Sequence, residues 1–333
     1  MRWSDILERY NKYDDRGFIQ EYLKWGERLR KAFNQATELE KIPRRVVFIG
    51  VGGSGIVGDI IRDYTYLTNR NIEVYVYKGV TPPRRIVRKS LVIGVSHSGN
   101  TIETINTLLK MHEYAPIVAV VTADGKLLEY AERYKWDINI IEPALAPRAG
   151  LPQMLGASLK MLNHVFKVDK RITRVAEKLD RLGRKLSIEK RYNEAYRMAS
   201  FIWGYTPVIY GTAYYIGVLH RIKSSFNENS KVHSYYVVFP EGYHNEVEAY
   251  EKYVNQFLPI ILRYDGDELD YLIEYFNKEA VRFLTYQMNE RDILYRILKT
   301  IMFFDLVSIY LAYLRKVDPY VINVINEIKE MRR

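Results

Sequence analysis

At 333 residues the chain exceeds a usual single domain, and its 48% hydrophobic and 27% charged content is globular, not disordered. It has no cysteine, which excludes disulfides, thiolate catalysis and zinc-finger ligation, and its six histidines lack metal-ligand spacing. The formal net charge of +10 comes from 50 basic and 40 acidic residues that are mostly interleaved, so the expectation is a solvated surface steering a small anion, with no nucleic-acid partner.

The N-terminal stretch "MRWSDILERYNKYDD" has no apolar core of signal-peptide length. The longest apolar stretch, "MFFDLVSIYLAYL" (302–314), is thirteen residues long and carries Asp305, too short to span a bilayer. No membrane association and a cytoplasmic location are expected.

Short runs rich in Val and Ile then alternate with helix-period segments. The first half offers "RVVFIGVGG" (45–53), "IEVYVYKG" (72–79), "SLVIGVS" (90–96), "PIVAVVTA" (116–123) and "DINIIE" (137–142). Runs this apolar suit strands covered on both faces. The segment after the third run places Ile102, Ile105, Leu108 and Leu109 on one helical face. The stretch 154–200 is charged and helix-patterned. The second half repeats the alternation: "TPVIYGT" (206–212) and "SYYVVFP" (234–240) each precede a helical segment, "FLPIILR" (257–263) leads into "ELDYLIEYFNKEA", and "RFLTYQ" (282–287) into a helix from about 290 to 314. The pattern predicts two doubly wound α/β domains with parallel sheets, joined by a helical connector: 1–153, and 154–333 with connector and tail helix.

Ligands of such sheets bind beyond the carboxyl ends of the strands, which draws attention to the turns after the first and third runs. The first, "GVGGSGIVGD", holds Gly50, Gly52, Gly53, Ser54 and Gly55. Glycines there let backbone approach a ligand, and the helix that follows offers free N–H groups to an anion. The spacing nearly matches a dinucleotide fingerprint, but the next strand ends in Lys78 where that motif requires an acid. A tight structural turn is the other alternative. The second turn, "SHSGNT", can aim the hydroxyls of Ser96, Ser98 and Thr101 at one point at the start of a helix. Its alternative is N-capping by Ser98 alone. Together the two turns predict a phosphate cup.

Strand–"SHSGNT"–helix resembles the sugar isomerase (SIS) domain, a flavodoxin-like fold whose usual ligand is a phosphosugar. "GVGGSGIVGD" resembles the first loop of the archaeal-type phosphoglucose/phosphomannose isomerases. Further similarities follow in order: "APRAGLP" (146–152), "RIKSSFNENSK" (221–231), "FPEGYHNEVEA" (239–249) and "YLRKVDPYVINVINEIK" (313–329). The resemblance implies that Gly53, Ser54, Ser96, Ser98 and Thr101 hold the sugar phosphate. It implies that Arg148 stabilises an enediolate, that Glu246 is the base, and that Lys329 touches the sugar hydroxyls and helps ring opening. His244, two residues before the base, joins the catalytic candidates. A homodimeric isomerase of glucose 6-phosphate and fructose 6-phosphate is implied, with mannose 6-phosphate as a further substrate and no metal or redox cofactor. Its alternatives are a non-catalytic SIS-fold phosphosugar sensor and an isomerase of another phosphosugar.

Without the family, Glu246 among Glu241, Glu248 and Glu251 reads as a solvated helix face, His244 as a polar residue at a helix start, Arg148 as a surface ion-pair residue and Lys329 as tail charge. The tail helix has an apolar face, Val321, Ile325 and Ile328, which predicts that it docks. Two departures from the family stand out. Relatives carry a histidine some sixteen residues after the base, where this chain reads "FLPIILRYDG", so ring opening falls to Lys329, His244, His220 or a water. Seven positions before Lys329, a small polar residue is replaced by Ile322.

Overall fold

The computed structural model describes residues 2–252 and 255–331. All nine apolar runs form strands: β1 (Arg45–Ile49), β2 (Glu73–Tyr77), β3 (Ser90–Ser96), β4 (Ile117–Thr122), β5 (Asp137–Ile140), β6 (Thr206–Thr212), β7 (Tyr235–Phe239), β8 (Phe257–Arg263) and β9 (Leu284–Gln287). They build two sheets, β2-β1-β3-β4-β5 and β7-β6-β8-β9, and every pairing is parallel. Each order reverses direction after its first strand, as in doubly wound folds. The central strand β3 is buried at every residue, whereas the edge strands β2, β5, β7 and β9 keep partial exposure. That is why the central runs are uniformly apolar.

One expected helix does not form. After β7 the chain makes two 3₁₀ turns, Glu241–His244 and Glu246–Tyr250, instead of an α-helix. Asn245 between them adopts φ −151°, ψ −57°, which no α-helix can continue through. The connector forms helices Leu151–Met161, Asn163–Phe166, Asp169–Leu186 and Glu194–Ile202.

The compact units are discontinuous in sequence, so the chain leaves and re-enters them and neither boundary falls at 153/154. One comprises Lys24–Arg181 and Asp292–Ile297 and holds the first sheet; the other comprises Met1–Leu23, Leu182–Arg291 and Leu298–Arg333 and holds the second. Helix Leu151–Met161 stays with the first sheet because Gly156 allows close approach to helix Trp25–Gln35: a Cβ there would lie 2.5 Å from the Leu29 carbonyl oxygen. The N-terminal helix Trp3–Tyr13 goes with the second sheet: Trp3 meets Tyr196 edge-on at 5.0 Å, and Arg9 donates to the carbonyl of Leu314 at 2.9 Å.

The helix expected near 290–314 runs Ile293–Arg315, 23 residues. By length and composition alone it could cross a membrane, yet its most apolar stretch is 94% buried within the protein. Asp305 on this helix is fully buried and pairs bidentately with Arg221, Nε–Oδ1 3.0 Å and Nη2–Oδ2 2.8 Å. The motif "RIKSSFNENSK" therefore begins with a residue that pins helix Ile216–Ser230 to the core.

Candidate active site

β1 and β3 are neighbours, with Ile49 opposite Gly94 at the end of their register, so the turns leaving them emerge side by side where the strand order reverses. The first turn leads into helix Gly53–Leu67. A Cβ on Gly53 would lie 3.2 Å from Arg148 Cα and 3.4 Å from the Pro147 carbonyl oxygen, so a bare hydrogen lets the Pro147–Arg148 loop rest against this helix start. Arg148 is 2% exposed and is not the surface residue its neighbours in sequence suggest. Ser54 is also buried, and its hydroxyl accepts from His97 N at 3.2 Å while donating to Met154 Sδ at 3.4 Å. The two turns are thereby tied together.

Ser96 ends β3, is fully buried, and donates to Thr101 Oγ1 at 3.0 Å. Thr101 occupies the N-cap of helix Ile102–Met111, yet no side chain caps that helix. The hydroxyls face one another instead of the backbone, at a helix start of the kind that suits an anion. Ser98 is exposed and does not cap the helix either; its hydroxyl accepts from Asn100 N at 3.3 Å. Gly53, Ser54, Ser96, Thr101 and Arg148 are thus brought together beyond the carboxyl ends of β1 and β3, while Ser98 shares the loop without joining its hydroxyl to theirs. Sequence reasoning passed over His97 inside the same motif. Buried, it accepts from Ala144 N through Nε2 at 3.0 Å and ties this turn to the segment leading to Arg148.

In the other unit, Glu246 opens the second 3₁₀ turn. It is half-buried, whereas Glu241, Glu248 and Glu251 are exposed, so it is not one member of a solvated face. Tyr210 on β6 is fully buried and donates its hydroxyl to Glu246 Oε1 at 2.6 Å; the Tyr250 hydroxyl lies 2.5 Å from that of Tyr210. Burial pushes the Tyr210 phenol far above its ordinary pKa, with the neighbouring Tyr250 and the bond to Glu246 adding to the effect, so it stays a donor at any working pH. Glu246 lines a cavity of about 460 Å³ with Tyr235, Tyr236, Tyr250 and Phe257. Neither tyrosine partner was foreseen; the only signal was Tyr250 four residues after the acid.

His244 is exposed at the end of the first 3₁₀ turn. His220 lies 6.0 Å from the ring of Tyr236, a residue of the same cavity wall. Lys329 is exposed on helix Asn323–Met331, which buries none of its residues. Of the face expected to dock, Val321 is half-buried, while Ile325 and Ile328 are 37% and 50% exposed. Ile322 lines a cleft of about 450 Å³ beside Asn227 and Lys231. Among the described residues no group of three or more His, Asp or Glu side chains could hold a metal ion.

Residues 191–331 match the family of the bacterial phospho-glucose isomerase C-terminal SIS domain. The bifunctional phosphoglucose/phosphomannose isomerase of Pyrobaculum calidifontis is 34% identical over 250 residues, covering 70% of this chain and 75% of the relative. That of Aquifex aeolicus is 29% identical over 293 residues, covering 86% and 89%. Among solved structures, a glucose-6-phosphate isomerase like protein from Thermus thermophilus superposes with a TM-score of 0.67 over 99% of both chains at 15% identity, a likeness that speaks to the fold alone.

Proposed function

We propose, from the premise that this chain belongs to the bifunctional phosphoglucose/phosphomannose isomerase family, that it interconverts glucose 6-phosphate and fructose 6-phosphate through a cis-enediol, with mannose 6-phosphate as a second aldose. The observation that carries the proposal is the gathering of Gly53, Ser54, Ser96, Thr101 and Arg148 around uncapped helix starts. Three alcohols at a helix start suit a phosphate dianion. Ser98, whose hydroxyl only accepts from Asn100 N, would donate its proton as a fourth alcohol. Arg148 keeps its charge at any working pH and would stabilise the oxyanion that develops during proton removal. Glu246 would take the proton from one carbon and return it to the next, one carboxylate serving both transfers. Lys329 would assist ring opening, with His220 and His244 as the imidazole candidates.

The reaction moves protons within one molecule, so it needs no metal or redox cofactor. The apolar face on the tail helix supports a homodimer, and the burial of helix Ile293–Arg315 within the protein supports an enzyme without a membrane partner; the interleaved charges support a cytoplasmic protein without a nucleic-acid partner. A coupled assay on purified protein tests the proposal: formation of fructose 6-phosphate from either aldose phosphate is expected. Binding by calorimetry without turnover would instead make it a phosphosugar sensor. Glu246→Gln should lose several orders of magnitude in kcat and still bind phosphosugar; unchanged turnover removes Glu246 as base.

A further inference from the structure

We propose that Tyr210 is the positioning residue of this carboxylate: its buried hydroxyl anchors Oε1 of Glu246 and leaves Oε2 as the single oxygen that carries the substrate proton. The inference rests on the isomerase proposal above and names how its base is held.

A phenol has one proton to give. Tyr210 spends it on Glu246 Oε1, so the contact between the two phenols must run from Tyr250 to Tyr210. The order Tyr250→Tyr210→Glu246 satisfies every hydroxyl and fixes the direction of both bonds. Oε2 makes no hydrogen bond with any described residue, on a side chain that lines the 460 Å³ cavity. The anchor itself is rigid: the Tyr210 ring is packed by Phe239 at 5.5 Å and by Phe276 at 6.3 Å, and its residue is wholly buried. The other groups around the acid do not compete for it. β7 contributes Tyr235 and Tyr236, β8 contributes Phe257, helix Asp270–Lys278 contributes Phe276 to the tyrosines, and on its own stretch His244 and Glu248 are exposed.

Anchoring one oxygen stops the carboxylate from turning about its last bond. Oε2 takes the C2 proton; the C2–H electron pair becomes the C1=C2 bond, and the carbonyl pair moves onto O1. The O2 proton passes to O1, the O2 pair re-forms the carbonyl at C2, and the C1=C2 pair takes the proton from Oε2 to make the new C1–H bond. No atom or electron enters or leaves. A carboxylate free to rotate would present its new proton to water before returning it.

The test follows 2-deuterated glucose 6-phosphate through Tyr210→Phe and Tyr250→Phe, with folding checked by circular dichroism. Tyr210→Phe removes one oxygen and keeps the ring that fills the core. Its kcat should fall about 10- to 100-fold with KM within about twofold, and the fraction of deuterium delivered to C1 should fall below half the wild-type fraction. The Tyr250 hydroxyl bonds Tyr210 and not Glu246, so Tyr250→Phe should change the same quantities in the same direction but less; should Tyr210→Phe not fold, this variant decides. Wild-type kcat and deuterium delivery in the folded variant overturn the proposal while the isomerase stands. A KM rise with delivery unchanged also overturns it, because a merely structural defect would behave so. A wild-type protein inactive on both aldose phosphates removes the isomerase and this role together.

Discussion

Gly99 is where the second turn of the cup is most sensitive. It sits at φ +66°, and a Cβ built on it would lie 1.5 Å from the Asp124 carbonyl oxygen and 2.6 Å from its carbon. Both are backbone atoms, so no rotamer change relieves the overlap. Gly99→Ala must drive the 96–101 turn and the 122–125 turn apart by more than an ångström. The bonds at stake are Leu127 N to Gly99 O at 2.9 Å and Thr122 Oγ1 to Asp124 O at 2.8 Å. The left-handed conformation costs about 1–2 kcal/mol for a residue with a Cβ. Two lost hydrogen bonds add about 1 kcal/mol each, for a total of about 3–4 kcal/mol. Gly79→Ala isolates the first contribution, since Gly79 has φ +72° and nothing within 4 Å of its Cβ position. The two variants should differ by about 2 kcal/mol in urea unfolding, roughly 30-fold in the folding equilibrium. Calorimetry with inorganic phosphate should show Gly99→Ala binding about tenfold or more weaker and Gly79→Ala near wild type. Equal destabilisation by the two would refute the argument that backbone overlap, and not φ alone, makes glycine necessary here.

Asp305→Ala strands the guanidinium of Arg221, itself 2% exposed, and should cost about 3–5 kcal/mol in urea unfolding, while Arg221→Met with Asp305→Leu together recovers most of it; a loss under about 1 kcal/mol would contradict the pairing. Ser96→Ala removes a buried hydroxyl bonded to Thr101 and should raise KM several-fold with kcat nearly constant, whereas Ser98→Ala should do less, and a reversed ranking in steady-state kinetics would reassign the cup. Burial raises the Asp14 carboxyl above its ordinary 3.8, outweighing the bonds it accepts from Tyr313, Ile19 and Phe18. Folding therefore favours the protonated form: the contribution is full below about pH 3.8 and is lost as pH rises through the higher folded value. Urea unfolding across that window should show wild type losing stability relative to Asp14→Asn, and a pH-independent gap would refute it.

Much of this molecule is legible one residue at a time. The central strands are visible because they are covered on both faces and so are written as unbroken apolar runs. Ser96, Thr101 and the glycines of the first turn are visible because a strand-to-helix turn is local, its conformation set by residues within a few positions.

What the residues could not announce depends on partners far along the chain. Arg148 reads as a loop cation until Gly53, almost a hundred positions earlier, makes room for its backbone. Glu246 reads as one acid among several until Tyr210 arrives from β6 and singles it out with a hydrogen bond. The helix expected after β7 resolves into two short turns, and helix Leu151–Met161 joins the first sheet because a missing Cβ at Gly156 lets it. Local periodicity reports which face of an element is apolar, but which surface covers that face, and which donor reaches a given carboxylate, is settled only when distant segments compete for the same space.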